Sequence, residues 1–152
     1  MEPLRYDLFL TDVRRFVDEQ QIYTDELRTL AWGTDAGFYR LVPKIVIRSD
    51  GERQVSRILQ ACDKHNIPYT FRAAGTSLSG QSISDSVLIV AGKHWERHEL
   101  LDDGQAIRLQ PGVVGGKVNQ ILKPLGRVFP PDPASVGSAM VGGIVSNNAS
   151  GM

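Results

Sequence analysis

FRAAGTSLSGQS, residues 71–82, is the stretch on which the fold turns. It carries two glycines, four hydroxyl side chains and a single charge, Arg72. Apolar runs flank it at Ile67–Phe71 and Val87–Ala91, so it reads as a loop between two buried strands. Small side chains let another group approach the backbone, and free N–H dipoles suit a bound phosphate. Composition leaves two readings level: an ordinary polar turn and a phosphate cradle.

The loop comes close to a known phosphate motif without completing it. Gly75 and Gly80 have four residues between them and are followed by Gln81-Ser82, where the nucleoside-triphosphate loop needs Lys-Ser/Thr. Without the lysine, triphosphate hydrolysis loses its main electrostatic element. The Gly-x-Gly-x-x-Gly dinucleotide fingerprint is absent as well. What remains is a neutral loop of backbone donors, the hydroxyls of Thr76, Ser77, Ser79 and Ser82, and the Gln81 amide. That set suits a pyrophosphate held without metal or lysine. Arg72 either lends a charge at its edge or closes a strand-end salt bridge, and both stay open.

Working outward, Lys44–Arg48 (KIVIR) reads as a strand and Tyr69–Arg72 as a second, with a helix to about His65 between them. The helix stripe is Val55, Ile58, Leu59 and Cys62, with Ser49 or Asp50 as N-cap, Asn66 as its end and Pro68 barring its return. Strand, helix and strand make a βαβ unit with parallel strands. Ser86–Ala91 is a third, wholly apolar strand. Residues 5–20 place Leu8, Phe9, Val13, Phe16 and Val17 at helical spacing, which predicts a helix, and 25–29 add a turn or short helix. Residues 31–43 look irregular, and Trp32, Phe38 and Tyr39 there read as core packing at a domain edge. Downstream, 94–100 and 106–109 form a hairpin through Asp102-Asp103-Gly104. Val113–Leu125 is an amphipathic helix ended by Gly126, and 138–145 is a small-residue helix.

Composition bounds the class. The 152 residues suffice for one ordinary domain. Seventeen basic and seventeen acidic side chains cancel, which gives no nucleic-acid footprint. No apolar run approaches the roughly 20 residues of a membrane helix, and no secretory leader is evident. The one cysteine, Cys62, falls on the apolar helix stripe and reads as a buried spectator. His65, His94 and His98 read as solvated, and no Cys/His cluster suggests a metal site. A reducing, cytoplasmic setting fits.

The second constellation is PPDPASVGSAMVGGIVSNNASG, residues 130–151. It joins a proline-stiffened loop carrying Asp132 to a Gly-Gly pair and a run of small hydrogen-bonding residues. Two glycines inside a helix cost about 1 kcal/mol each, so close approach of another group is the better account of Gly142-Gly143. Such a segment suits a wall against a flat heteroaromatic ring.

Four pieces, PKIVIRSDGERQVSRILQAC (43–62), FRAAGTSLSGQ (71–81), LQPGVVGGKVNQIL (109–122) and residues 130–151, together resemble the flavin-binding domain of the vanillyl-alcohol oxidase / p-cresol methylhydroxylase superfamily. TLAWGTDAGFYRLVPKIV (29–46) is similar to the FAD-linked D-2-hydroxyacid dehydrogenase branch, whose large bacterial members carry a C-terminal iron–sulfur domain. The resemblance implies an α+β, PCMH-type FAD-binding fold, with the first βαβ-containing subdomain and the opening of the second. It implies an N-terminal helical extension over 1–42 and an incomplete FAD-binding domain over 43–152. Arg72 would stand at the edge of the pyrophosphate, and Ala73, Ala74, Gly75, Thr76 and Ser77 would bind it. Gln81 would fix the loop or touch the flavin. Pro130, Asp132, Ser138, Gly142 and Gly143 would line the cofactor, and Asn148, Ser150 and Gly151 would close over it. Ala73-Ala74 depart from the glycines common in the family.

Some relatives attach FAD covalently through a histidine in this loop. Thr76 holds that place here, so the resemblance implies non-covalent FAD. It also implies a 2-hydroxy acid substrate such as D-lactate or D-2-hydroxyglutarate, and hydride transfer to flavin N5. A quinone or electron-transfer protein would be the acceptor, and an iron–sulfur cluster and a place peripheral to the inner membrane remain open for the whole protein. Catalytic residues are expected outside this chain. The chain stops inside the 130–151 motif, which reads as a fragment that binds FAD weakly or not at all and is inactive by itself. Val141, Ile144 and Val145 are expected to be uncovered and to drive self-association. The alternative is a stand-alone nucleotide-binding or regulatory domain without catalysis.

Overall fold

The computed structural model describes residues 2–91 and 94–150. They form two compact units. Among the described residues the first comprises 2–72 and 77–91, and the second comprises 73–76 and 94–150.

The first unit is built on a four-stranded sheet. In chain order its elements are α1 (Glu2–Val13), β1 (Ile22–Tyr23), α2 (Glu26–Ala31), β2 (Ile45–Ser49), α3 (Glu52–Lys64), β3 (Tyr69–Arg72) and β4 (Val87–Ala91). The sheet order is β1-β2-β4-β3. β4 runs parallel to both β2 and β3, while β1 is an antiparallel edge. β2 and β3 are thus parallel, as the βαβ reading expects, but β4 lies between them.

Strand alternation explains why β2 and β4 read as continuous apolar runs. Ile45, Ile47, Val87 and Ile89 meet Phe9 and Val13 of α1 and Ile58, Ala61 and Cys62 of α3. Val46, Leu88 and Val90 point to the other face, where Tyr23 and Trp32 cover them. Burying each of these aliphatic side chains contributes about 1.5–3 kcal/mol. Residues before 43 are therefore part of the core: Tyr6, Phe9, Val13, Val17 and Ile22 are all buried.

Several local expectations are corrected. α3 is not capped by Ser49 or Asp50; its N-cap is Gly51. Ser49 is buried in β2 and its Oγ donates to the Val90 carbonyl at 3.1 Å, while the Asp50 amide donates to Gln54 Oε1 at 2.8 Å. α3 does end at Asn66, which takes a φ of 51°. His65 is largely buried beside Asp12 of α1, with Nε2 2.8 Å from Asp12 Oδ2, and is not solvated. Phe38 is 87% exposed and Tyr39 47%, so neither packs in the core.

The second unit contains the antiparallel hairpin β5 (His98–Leu101) and β6 (Ala106–Leu109), then α4 (Gly115–Leu122) and α5 (Val141–Ser146). α4 passes into a 3-10 turn and stops at Gly126, whose φ is 65°. The small core joins Val113, Val118, Leu122 and Val141, flanked by Ile107, Leu109 and Phe129. Val141 and Ile144 are buried, against expectation, because α5 folds back on this core; Val145 alone of the three is exposed.

Candidate cofactor-binding site

The loop starts where β3 ends. Gly75 and Gly80 take φ of 72° and 74°. Most residues with a Cβ carry about 1–2 kcal/mol of strain in that left-handed region, so both turns favour glycine. Residues 73–77 are half-buried, yet the amides of Ala74, Gly75 and Thr76 donate to no described residue. Half-buried, unpaired N–H groups favour an acceptor, and consecutive ones favour an anionic oxygen. Further on the loop is self-supporting: Ser77 Oγ donates to Gln81 Oε1, and the Ser79 amide donates to Ser77 Oγ at 3.2 Å.

Arg72 engages backbone carbonyls. Its Nη1 donates to Thr34 O at 2.6 Å and, more weakly, to Trp32 O at 3.4 Å. The guanidinium lies 5.2 Å from the centre of the Trp32 ring, and its buried Nε has no partner. Burial lowers the pKa of Arg72, and the Asp35 carboxylate opposes that shift.

The second unit shows which glycines are structural. The Gly115 amide donates to Ala139 O at 2.9 Å and the Gly116 amide to Val136 O at 2.8 Å, so the start of α4 is already satisfied. A Cβ on Gly115 would stand 2.9 Å from Val136 Cγ2. Gly142 donates to Pro111 O at 2.9 Å, and a Cβ there would lie 2.6 Å from Pro111 Cβ. Gly142 is thus explained by packing. Gly143 differs: it is exposed, and its nearest neighbour is the Ala73 methyl of the loop, 3.8 Å from an added Cβ. The structure thereby brings Ala73 and Gly143 together.

The other anticipated residues are more dispersed. Pro130 and Asp132 are exposed on the proline loop. Ser138 Oγ donates to Ser135 O at 3.2 Å, in a turn leading to α5. Asn148 ends α5 with a φ of 45°, Ser150 is exposed, and Gly151 lies outside the described residues. Asp35 and Gly37, absent from the sequence reading, touch the loop. Asp35 Oδ2 accepts from Ser82 Oγ at 3.4 Å, and a Cβ on Gly37 would stand 2.7 Å from Leu78 O. The Asp35-Ala36-Gly37 triplet was a usable signal, because Asp two residues before Gly favours a side-chain-closed turn.

A family model described as an FAD binding domain matches residues 43–152. The chain belongs to the FAD binding domain family. This FAD binding domain is 30% identical over 142 residues to D-2-hydroxyglutarate dehydrogenase of Escherichia coli (strain K12), covering 88% of the chain and 14% of the relative. It is 34% identical over 116 residues to glycolate oxidase subunit GlcD of the same strain, covering 75% of the chain and 23% of the relative. The chain thus spans less than a quarter of the length of these relatives. Among solved structures it matches an alkyldihydroxyacetonephosphate synthase with a TM-score of 0.81 at 18% identity, over 96% of this chain and 30% of that one. It matches p-cresol methylhydroxylase with a TM-score of 0.79 at 13% identity, over 95% and 30%. The fold is therefore the α+β, PCMH-type fold anticipated from the sequence.

FAD is the cofactor of this family, and the loop suits it. Unpaired consecutive amides, a left-handed Gly75 and small neighbouring side chains are what a pyrophosphate needs. Among the described residues no helix is long and apolar enough to cross a membrane.

Proposed function

We propose that this FAD binding domain serves a flavin-dependent dehydrogenase that oxidises a D-2-hydroxy acid, D-lactate or D-2-hydroxyglutarate, to the 2-oxo acid. One observation carries the reading: the half-buried loop with unpaired amides at Ala74–Thr76 lies beside the open face of Gly143. The sequence relatives, named for D-2-hydroxyglutarate dehydrogenase and glycolate oxidase, support the substrate class.

When bound, FAD supplies the hydride acceptor. The amides of Ala73–Ser77 hold its pyrophosphate, and Gln81 keeps the loop in shape through Ser77. Gly143 leaves room for close approach beside Ala73; Pro130, Asp132 and Ser138 are assigned to line the cofactor, and Asn148, Ser150 and Gly151 to close over it. Gly142 supports this wall through its contact with Pro111. The cofactor is held non-covalently, because Thr76 stands where a linking histidine would be and His65, His94 and His98 lie elsewhere in the sequence. The domain runs over 43–152, with 1–42 as an N-terminal extension that shares its core. Substrate-binding and proton-accepting groups are assigned outside this chain, as is delivery of electrons to a quinone or carrier protein. Alone, the chain holds FAD weakly and turns over no hydroxy acid.

Titration of FAD, followed by flavin fluorescence, tests this. The unaltered chain quenches the flavin, and Gly75→Asp binds on the order of a hundredfold more weakly because a carboxylate is set against phosphate. Equal binding by both proteins would remove the loop from the site. Trichloroacetic acid should release all the flavin to the supernatant; flavin retained in the pellet would overturn non-covalent attachment.

A further inference from the structure

The segment Trp32–Tyr39 lies before the matched domain, which begins at residue 43. Its own ends are tied together: the Leu41 amide donates to Gly33 O at 3.0 Å, and Thr34 and Arg40 form an antiparallel bridge. Asp35 Oδ1 accepts the Gly37 amide at 2.8 Å, which closes the tip. The segment is thus a small, pinned hairpin with a defined shape.

It meets the cofactor loop at three levels. At the base, Arg72 of β3 donates to Thr34 O and Trp32 O and lies over the Trp32 ring. In the middle, Asp35 Oδ2 accepts from Ser82 Oγ. At the tip, Gly37 comes so close to the Leu78 backbone that a Cβ would fall 2.7 Å from its carbonyl oxygen. Next to it, Gly80 has Tyr39 as neighbour, with the ring 3.5 Å from an added Cβ. Phe38 lies against Tyr39 at 4.3 Å between ring centres. These contacts reach residues 78, 80 and 82 of the loop.

We infer that residues 32–39 are a brace that fixes the second half of the cofactor loop, and that Arg72 is the positioning residue tying the brace to β3. Arg72 binds no phosphate in this account. It acts through Trp32 and Thr34, and the brace acts through Leu78, Gly80 and Ser82. The left-handed Gly80 and the Ser77–Gln81 bond are then held in place from outside the loop. The consequence for FAD rests on the cofactor reading given above, whereas the brace itself is a property of the protein without flavin.

The test uses three variants and two readouts. Arg72→Met removes the carbonyl donors, Arg72→Lys restores one donor within reach of Thr34 O, and Gly37→Ala forces the Leu78 carbonyl to move. In the flavin-free protein, backbone order parameters for residues 77–82, near about 0.85 if braced, should fall below about 0.6 in Arg72→Met and Gly37→Ala. Those of β2 and β4 should stay unchanged, and Arg72→Lys should recover most of the loss. FAD affinity should fall about tenfold in Arg72→Met and recover in Arg72→Lys, in keeping with loss of a charge-assisted bond. Loop order unchanged in both variants, or lost equally in β2 and β4, would overturn the brace. Lost loop order with unchanged FAD affinity would keep the brace and overturn its role in cofactor binding. Gly37→Ala reads out the brace independently if Arg72→Met does not fold.

Discussion

The adjacent glycines of α5 should respond to the same substitution with opposite sign. Helix propensity alone treats Gly142→Ala and Gly143→Ala alike, each gaining about 0.5–1 kcal/mol. The surroundings separate them. At Gly142 the new methyl would lie 2.6 Å from Pro111 Cβ and 3.1 Å from Pro111 O. Pro111 is a rigid ring whose carbonyl also accepts the Gly142 amide, so neither atom can move without breaking that bond. Overpacking of this kind costs about 1–3 kcal/mol, which exceeds the propensity gain. At Gly143 the nearest atom would be 3.8 Å away, an ordinary contact, so the gain survives. Gly142→Ala should therefore destabilise the protein by about 1–2 kcal/mol, while Gly143→Ala stabilises it by about 0.5 kcal/mol. For a chain of this length that separates their melting temperatures by about 4–8 °C. Urea unfolding followed by circular dichroism, with thermal melts beside it, measures both. Shifts of the same sign and size would refute the packing account of Gly142.

Two further outcomes follow from titratable groups. Hydrogen bonds from Lys64 and then His65 lower the Asp12 pKa from 3.8 to about 2. A depressed folded-state pKa stabilises above the unfolded value, and that contribution is lost as pH falls from 3.8 through 2. Asp12→Asn should thus lower the urea midpoint at neutral pH and converge with the parent near the acid end; parallel curves throughout would exclude this linkage. Burial pushes the Cys62 thiol up to about 12. Ellman's reagent at pH 8 should leave it unlabelled in the native protein and label it fully in urea, and rapid native labelling would show that α3 is not packed as described.

Features set by short-range interactions were legible in the sequence, and those set by long-range ones were not. β2 and β4 were legible because continuous β-branched runs mean burial on both faces. The 71–82 loop was legible because its glycines take the conformations that glycine serves, at Gly75 and Gly80. The hairpin at 98–109 followed from its Asp-Asp-Gly turn. The position of β4 between β2 and β3 was not legible, since no local pattern encodes the order of parallel strands. Ser49 looked like a cap because local rules do not show that its hydroxyl meets Val90 across the sheet. His65 looked solvated because its partner, Asp12, lies 53 residues away. In the site, Gly142 and Gly143 were indistinguishable as letters, and only Pro111 tells them apart. Phe38 and Tyr39 were assigned to the core by hydrophobicity, yet they lie against each other, exposed, on a surface hairpin.

The order of strands has a bearing on how this chain folds as it is made. β4 is the inner strand that both β2 and β3 pair with, and it is the last strand of its unit to be synthesised. Until Val87–Ala91 leave the ribosome, β3 has no partner and the apolar stripe of α3 has only half its floor. The nascent unit should therefore stay open, with Ile45, Ile47 and Ile58 accessible to chaperones, and then close in one step when a five-residue segment emerges.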